Sequence, residues 1–461
     1  MCQDSDVVDN ISTDGARTDT KSPAARPAFE CGDLELTRPA TITTSEHGVL
    51  ALVRVHGCPV GSVQVGAAQR HRDGGRELAL LELGEQIDEH LTGDGLSRAD
   101  LSGPSVCRQG PTPSDALVSV VVCTTGEDPR LRRAVESVLA QTYAGLELVV
   151  VDNRPQVGRV AELLDGLVDP RLRTIREPCR GLSAARNAGM AAARGSIIAF
   201  TDDDAVADPH WVSWLAGAFV DEPAAVAVTG LVVPSELTTP AQWWFEEFGA
   251  FDKGHARTWW SLERGATDPS RCRAGDRGPL FPYAAGTYGS GNNMAFRAEW
   301  LRASGQFDEA LGAGSLSRGG EDLDAFLTVV LSGAGLLYEP AAVVRHAARR
   351  SMTELASQLY GYGSGNSAAI TKHLLRSPGA AVTILRKVPA GLRRMVDPGS
   401  EKNSGRSSDY PAELARGELR GFLLGPVLYL RARRDARARR RRYPAAHAVA
   451  VPIGGSRLSG S

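Results

Sequence analysis

LVSVVVCTTGEDPRLRRAVESVLAQTYAGLELVVVD (117–152) decides the fold of this chain. Its two ends, LVSVVVC (117–123) and LELVVVD (146–152), are short, β-branched and bounded by turn residues, which suits strands buried on both faces of a parallel sheet. Between them Asp128-Pro129 offers an N-cap followed by proline at the first helical position. Leu131, Ala134, Val135, Val138 and Leu139 then recur at helical spacing and make one apolar face. The same alternation continues with a weaker helix at about 157–166, a strand LRTIRE (172–177), an Ala-rich helix (182–193) and a strand SIIAFT (196–201). Strands alternating with short helices mean βαβ units, hence a mainly parallel sheet flanked by helices. In such sheets ligands bind beyond the carboxyl ends of the strands. That rule marks the Thr124–Asp128 turn, Asp152-Asn153 and the carboxylates after Thr201.

Outward from this core the chain changes character. The domain order expected is a disordered N-terminus (1–35), a small α+β module (36–92), a Gly/Ser/Pro-rich linker (93–116) and an α/β domain (117–350). A helical extension with a basic tail (351–443) and a flexible C-terminus (444–461) follow. In the module, GVLALVRVHGCPVGSVQVG alternates around Gly57-Cys58-Pro59 and reads as a hairpin, while ELALLELGEQIDEHL reads as strand or helix. It presents no cluster of chemical residues and is read as a packing unit.

Composition bounds the function. The 461 residues carry 52 Lys+Arg against 54 Asp+Glu with 42% hydrophobic residues, which excludes a globally basic nucleic-acid binder and a wholly disordered chain. No apolar run approaches the ~20 residues that span a bilayer. MCQDSDVVDN lacks the basic-then-apolar order of a secretory signal. Seven scattered cysteines without a CxxC pair read as reduced thiols. Together these point to a cytoplasmic protein.

Asp202-Asp203-Asp204 is the strongest local signal. Three adjacent carboxylates repel one another unless a cation or solvent compensates. On an extended segment residues i and i+2 point the same way, so Asp202 and Asp204 can face one centre while Asp203 points elsewhere. Hard oxygen ligands at a strand end suit Mg2+ or Mn2+; an acidic cap ahead of Asp208-Pro209 is the competing reading. Asp152 ends a buried strand, as a ligand for a nucleobase or ribose or as an ordinary turn residue. In GLSAARNAGMAAARG, Arg186 and Asn187 project from a helix of small residues, toward a ligand or toward solvent. Glu321-Asp322 opens a helix after a Gly-rich loop, where the macrodipole favours carboxylates both as caps and as an ionised base. His346 ends YEPAAVVRH and gains interest only beside these signals.

Residues 117–350 resemble the family 2 glycosyltransferases, inverting enzymes with a GT-A fold, of a bacterial type with an extra N-terminal module. The matching pieces are VSVVVCT (118–124), ESVLAQTYAGLELVVVDN (136–153), GLSAARNAG (181–189), GSIIAFTDDD (195–204), NNMAFR (292–297), GQFDEALGAG (305–314), GGEDLDAF (319–326) and LYEPAAVVRH (337–346). Each is modest alone; their order, spacing and position at strand ends make the match specific. The turn Cys123-Thr124-Thr125-Gly126-Glu127 departs from the Pro-Thr-x-Asn/Asp form common after the family's first strand. The resemblance implies a nucleotide-diphosphate sugar donor, an acceptor hydroxyl and a Mg2+ or Mn2+ ion. It places Thr124 and Asp152 at the nucleoside and Arg186 near the base and diphosphate, with Asn153, Asn187, Asn292 and Asn293 as further substrate-binding residues. Asp202 and Asp204 fall at the metal-diphosphate, with His346 a further metal ligand. Asp322 becomes the general base and Glu321 its neighbour at a sugar. Synthesis of a cell-envelope glycan or a glycosylated metabolite follows as the setting. The competing functions are a nucleotidyltransferase, whose Gly-rich phosphate loop is missing at 123–130, and a scaffold without catalysis, which would need none of these carboxylates.

Two segments stay outside that scheme. Residues 234–291 hold four of the seven tryptophans and form either an acceptor wall or a satellite core. GFLLGPVLYL (421–430) followed by RARRDARARRRR (431–442) suits docking on an anionic membrane surface, on the inner face of the plasma membrane, without crossing it. A solvated tail and a nucleic-acid contact are the other readings; with no recognised binding module, no nucleic-acid partner is expected.

Overall fold

The structure, a computed structural model, describes residues 28–37, 48–65, 74–93, 97–98, 111–249, 251, 253–269, 272–376, 378–400, 402–403, 405–443 and 450–451. The expectations for 1–27, for most of the linker and for 452–461 lie outside these residues.

The N-terminal unit consists of β1 (Phe29–Glu35), β2 (Gly48–Val55), β3 (Cys58–Val65), α1 (Gly74–Glu82) and α2 (Gly84–Gly93). Strand β1 falls in the stretch expected to be disordered. It is ordered by parallel pairing with β2, which buries Leu34. The hairpin turn sits at His56-Gly57, one residue earlier than expected. Both residues have positive φ (52° and 85°), as a two-residue hairpin turn requires. Pro59 is tolerated inside β3 because β3 is the edge of its sheet, opposite a register shift at Val53/Arg54. ELALLELGEQIDEHL is helical, and Ala79, Ile87 and Leu91 close the module's own core.

The α/β domain runs β4 (Val118–Thr124), α3 (Leu131–Leu139), β5 (Leu146–Asp152), α4 (Arg159–Leu163), β6 (Leu172–Arg176), α5 (Leu182–Ala192), β7 (Ile197–Asp202), β8 (Ala205–Ala207) and α6 (Trp211–Asp221). Its second half contains β9 (Ala225–Pro234), β10 (Glu236–Leu237), α7 (Pro240–Glu247), β11 (Thr258–Trp260), β12 (Arg273–Ala274), β13 (Asn293–Arg297), α8 (Ala298–Ser304), α9 (Glu321–Leu331) and β14 (Gly335–His346). The C-terminal part is α10 (Met352–Arg376), α11 (Pro378–Val396), α12 (Ala412–Arg442) and β15 (Ala450–Val451). β15 pairs with β6 through Ala450 and Ile175, inside the stretch expected to be flexible.

The main sheet has the order β12-β11-β14-β9-β13-β7-β4-β5-β6-β15. Strands β7, β4, β5 and β6 are mutually parallel; β13 runs antiparallel between β7 and β9. The expected α/β class with a mainly parallel first half and flanking helices is therefore present. Two apolar layers, one on each face, cover the sheet. Close packing of α5 uses Gly189, where a Cβ would lie 2.4 Å from Val121 Cγ1. Helix α3 starts at Leu131, later than expected: Asp128 Oδ1 accepts from the Arg130 N–H and spends Asp128-Pro129 on a turn ahead of the helix.

The N-terminal sheet joins the domain through β10, which pairs antiparallel with β1. Arg54 bridges Asp33 and Asp208 at 2.7 and 2.9 Å, and Arg345 reaches Asp33 at 2.7 Å. The accessory unit is thus fastened next to His346 on β14.

Candidate active site

Strand register assembles the site. Thr124 on β4 is opposite Asp152 on β5, and Cys123 is opposite Asp202 on β7, so three carboxyl ends finish side by side. Antiparallel β13 brings its amino end to the same rim, since Asn293 pairs with Thr201. His346 pairs with Ala205, the residue after Asp204. Sequence positions more than 220 residues apart meet there for topological reasons. Of these, Thr124, Asp202, Asp204 and His346 line one cleft of about 2060 Å3, together with Glu321 and Asp322 at the start of α9.

Asp202, Asp204 and His346 each offer a ligand atom, and these atoms lie within 4.8 Å of one another. His346 Nε2 is 3.3 Å from Asp204 Oδ1. Asp203, in the two-residue turn between β7 and β8, stays outside that cluster and accepts a hydrogen bond from the Thr124 hydroxyl. Burial pushes the Asp203 carboxyl up to about 7, with Asp204 and Asp202 adding to it and Thr124 opposing. Burial also raises Asp202, against the pull of Arg186. Asp204 is depressed: burial would raise it, but His346 and the cationic Arg349 and Arg130 outweigh that. Burial likewise disfavours charged His346, yet the Asp204 carboxylate wins and raises its pKa. Two oxygen donors and an imidazole in a shared pocket fit a small divalent cation.

Asp322 borders the cleft beside this triad. Its Oδ2 accepts from the Gly291 N–H at 2.9 Å and its Oδ1 from the Leu323 N–H at 2.8 Å. Gly320 caps α9 in the left-handed region (φ 89°), where it also lies against the Gly365 carbonyl; any Cβ there would come within 2.2 Å of that oxygen. Glu321 has a different task. Its Oε1 accepts from Arg186 Nη1 at 2.7 Å, and burial lifts its carboxyl to about 7 against that cation. Arg186 is 2% exposed and also donates to the Gly291 carbonyl at 2.9 Å, with Asp202 at 3.7 Å. Arg186 and Glu321 therefore brace the rim from inside.

Several expected contact residues turn out to be structural. Asn187 exchanges hydrogen bonds with both backbone groups of Phe307. Asn293 accepts from Trp211 Nε1 and donates to the Leu231 and Ala342 carbonyls. These internal bonds engage both amides, and neither residue is among those that line the cleft. Asn153 borders the cleft, but its amide holds the loop at Glu177, Cys179 and Gly181. Asp152 is 5% exposed at its strand end and accepts from the Arg154 N–H. Asn292 is buried on the cleft wall with both amide atoms lacking a partner.

Sequence reasoning passed over Arg130, whose Nη2 is 3.7 Å from Asp204 Oδ2; Phe251, within the aromatic segment read as acceptor wall or satellite core, meets the His346 ring edge-on at 5.1 Å. Arg130 directly follows the Asp128-Pro129 pair that was read only as a helix start. The aromatic segment divides between its two readings. Trp244 and Phe245 fill a satellite core with Leu355, Leu359 and Leu414, whereas Phe248, Phe251 and Trp260 line the cleft.

Residues 119–271 match the model of glycosyl transferase family 2. That segment belongs to the family. The glucosyl-dolichyl phosphate glucuronosyltransferase of Haloferax volcanii is 39% identical over 135 residues, 28% of this chain and 43% of that one. The pre-mycofactocin glycosyltransferase of Mycobacterium tuberculosis is 26% identical over 292 residues, 62% of this chain and 55% of its own. The chain thus spans about half the length of these curated relatives. Among solved structures, a mannosyltransferase from Pyrobaculum calidifontis in complex with GDP-Man and Mn2+ aligns at 18% identity and a TM-score of 0.39, covering 74% of this chain and 79% of that one. GalNAc-T7 with UDP, GalNAc and Mn2+ aligns at 17% and 0.39, covering 63% and 59%. Asp152, Asp202, Asp203 and Asp204 lie inside the matched segment, whereas Glu321 and Asp322 on α9 and His346 on β14 follow it.

Proposed function

We propose that the chain is a metal-dependent inverting glycosyltransferase that moves a sugar from a nucleotide-diphosphate donor to an acceptor hydroxyl. The observation that carries this reading is the convergence of Asp202, Asp204 and His346 within 4.8 Å in the cleft that Asp322 borders. Asp202, Asp204 and His346 would hold Mg2+ or Mn2+, which when bound supplies positive charge to the departing diphosphate. Asp322, oriented by the Gly291 and Leu323 N–H groups, accepts the proton of the acceptor hydroxyl as its oxygen attacks the anomeric carbon. One displacement without an enzyme nucleophile inverts the configuration. Thr124 and Asp152 at the ends of β4 and β5 fit the nucleoside, and unpartnered Asn292 fits a polar group of the substrate. The aromatic wall of Phe248, Phe251 and Trp260 fits the acceptor side. A lipid-linked acceptor and contact of 421–442 with an anionic membrane surface belong to the same proposal.

The test is a transfer and hydrolysis screen of UDP-, GDP- and dTDP-sugars with Mg2+ or Mn2+, with and without chelator. Turnover of one donor, lost with chelator and in Asp322→Asn, supports the reading. Turnover indifferent to both would overturn it.

A further inference from the structure

Helix α11 was not singled out by its sequence, and its two faces differ sharply. Its inner face is docked. Ile384 joins the core, Lys387 Nζ donates to the Pro279 carbonyl at 2.6 Å, and Gly391 meets Leu280 at the cleft wall. On the opposite side Val382, Leu385 and Val396 are 52, 60 and 60% exposed, and exposed Pro389 lies in the same stripe. Spacings of three, four and seven residues keep these groups on one face. Exposed Arg386 and Arg393 stand on its shoulder.

Helix α12 repeats the pattern. Gly421, Gly425 and Tyr429 are buried, and Cβ atoms on the two glycines would come within 2.2 Å of Tyr360 and Ser367 of α10. Its outward face carries Leu423, Val427 and Leu430, which are 60, 49 and 49% exposed, between exposed Arg420 and Arg434. No helix among the described residues is long and apolar enough to cross a membrane.

We infer that the outward face of α11 seats on an anionic lipid surface, with the Leu423–Leu430 face of α12 as a second contact. Exposed leucines rimmed by arginine match acyl chains below anionic headgroups. A second copy of this chain would set the same arginines against each other, which like-charge repulsion opposes. Because the inner face of α11 walls the cleft, seating the outer face on lipid leaves about one helix diameter between the cleft and the membrane surface. The inference rests on the glycosyltransferase reading only for its acceptor, a hydroxyl carried on a lipid.

The experiment is co-sedimentation of the full chain with phosphatidylcholine vesicles and with vesicles that also contain phosphatidylglycerol. Binding should favour the anionic vesicles and weaken with salt. Val382→Glu/Leu385→Glu should lower partitioning about tenfold or more, and Arg386→Gln about fivefold. Circular dichroism and donor turnover check that the variants fold. Absence of binding by the parent chain, or equal binding by Val382→Glu/Leu385→Glu, overturns the inference. So does a parent dimer in light scattering that this variant converts to monomer, which assigns the face to a second copy. Sedimentation needs neither donor nor metal, so vesicle binding without any sugar transfer would sink the enzymatic reading and leave this surface standing.

Discussion

His346 Nε2 lies 3.3 Å from Asp204 Oδ1, and both side chains are buried. The histidine ends β14 and the aspartate follows β7, so their meeting depends on β8, which follows Asp204 and pairs back onto β14. Each favours the charged state of the other, and a cation bound there would displace the imidazolium proton. His346→Ala should therefore weaken Mn2+-dependent nucleoside-diphosphate binding by on the order of 10–100-fold. Calorimetric titration with and without Mn2+ reads this directly. Unchanged affinity in both conditions would remove His346 from the metal assignment.

Asp322→Asn keeps the shape of a side chain that receives two backbone N–H groups, yet cannot take a proton. Transfer should fall by roughly 100–10,000-fold while nucleotide affinity stays within about twofold of the parent. Steady-state kinetics beside nucleotide titration separate the two effects. Parent-like kcat would hand the base role to another residue.

Gly291 offers a test through backbone geometry. A Cβ at this position would lie 2.9 Å from Asp322 Oδ2 and 3.1 Å from Arg186 Nη2. Gly291→Ala must therefore push the base and the bracing arginine apart, and kcat should drop about tenfold or more with little loss of fold. Gly265→Ala, where nothing lies within 4 Å of the added methyl, is the matched control. Equal turnover in the two variants would show that the Gly291 contact does not set the position of Asp322.

The α/β domain was legible because its strands are short apolar runs between turn residues; the extended spacing expected of Asp202-Asp203-Asp204 also set Asp203 apart, although the structure does so with a turn at Asp203-Asp204. What stayed hidden was set by long-range packing. Asn187 and Asn293 look like ligand-facing amides in sequence, but Phe307, Trp211, Leu231 and Ala342 consume them, and only the fold brings those partners near. Strand β1 was hidden for a related reason. FECGDLE is too polar to declare a strand alone and is ordered by β2 on one side and β10 on the other. In GFLLGPVLYL the run reads as uniformly apolar; the division between buried Gly421, Gly425 and Tyr429 and outward Leu423 and Leu430 appears only when α12 lies on α10.

Asp324 sits two residues after Asp322 on α9 and ties that helix to α10. It pairs with Lys372 Nζ at 2.5 Å and His373 Nε2 at 3.0 Å. Burial would raise its pKa, but His373 and Lys372 hold the carboxyl below its ordinary 3.8. A carboxylate depressed in the folded state stabilises that state above the unfolded value, and the contribution is lost as pH falls through the folded value. Asp324→Asn removes the charge and leaves Lys372 with Asp308 at 3.7 Å, so a loss of about 2 kcal/mol is expected at neutral pH. The difference between parent and variant should shrink as acid protonates Asp324 in the parent, below about pH 4. Urea unfolding of both proteins at pH 7 and at the lowest pH where both remain folded measures this. A gap that stays constant or widens in acid would show that the Asp324 charge does not hold α9 to α10.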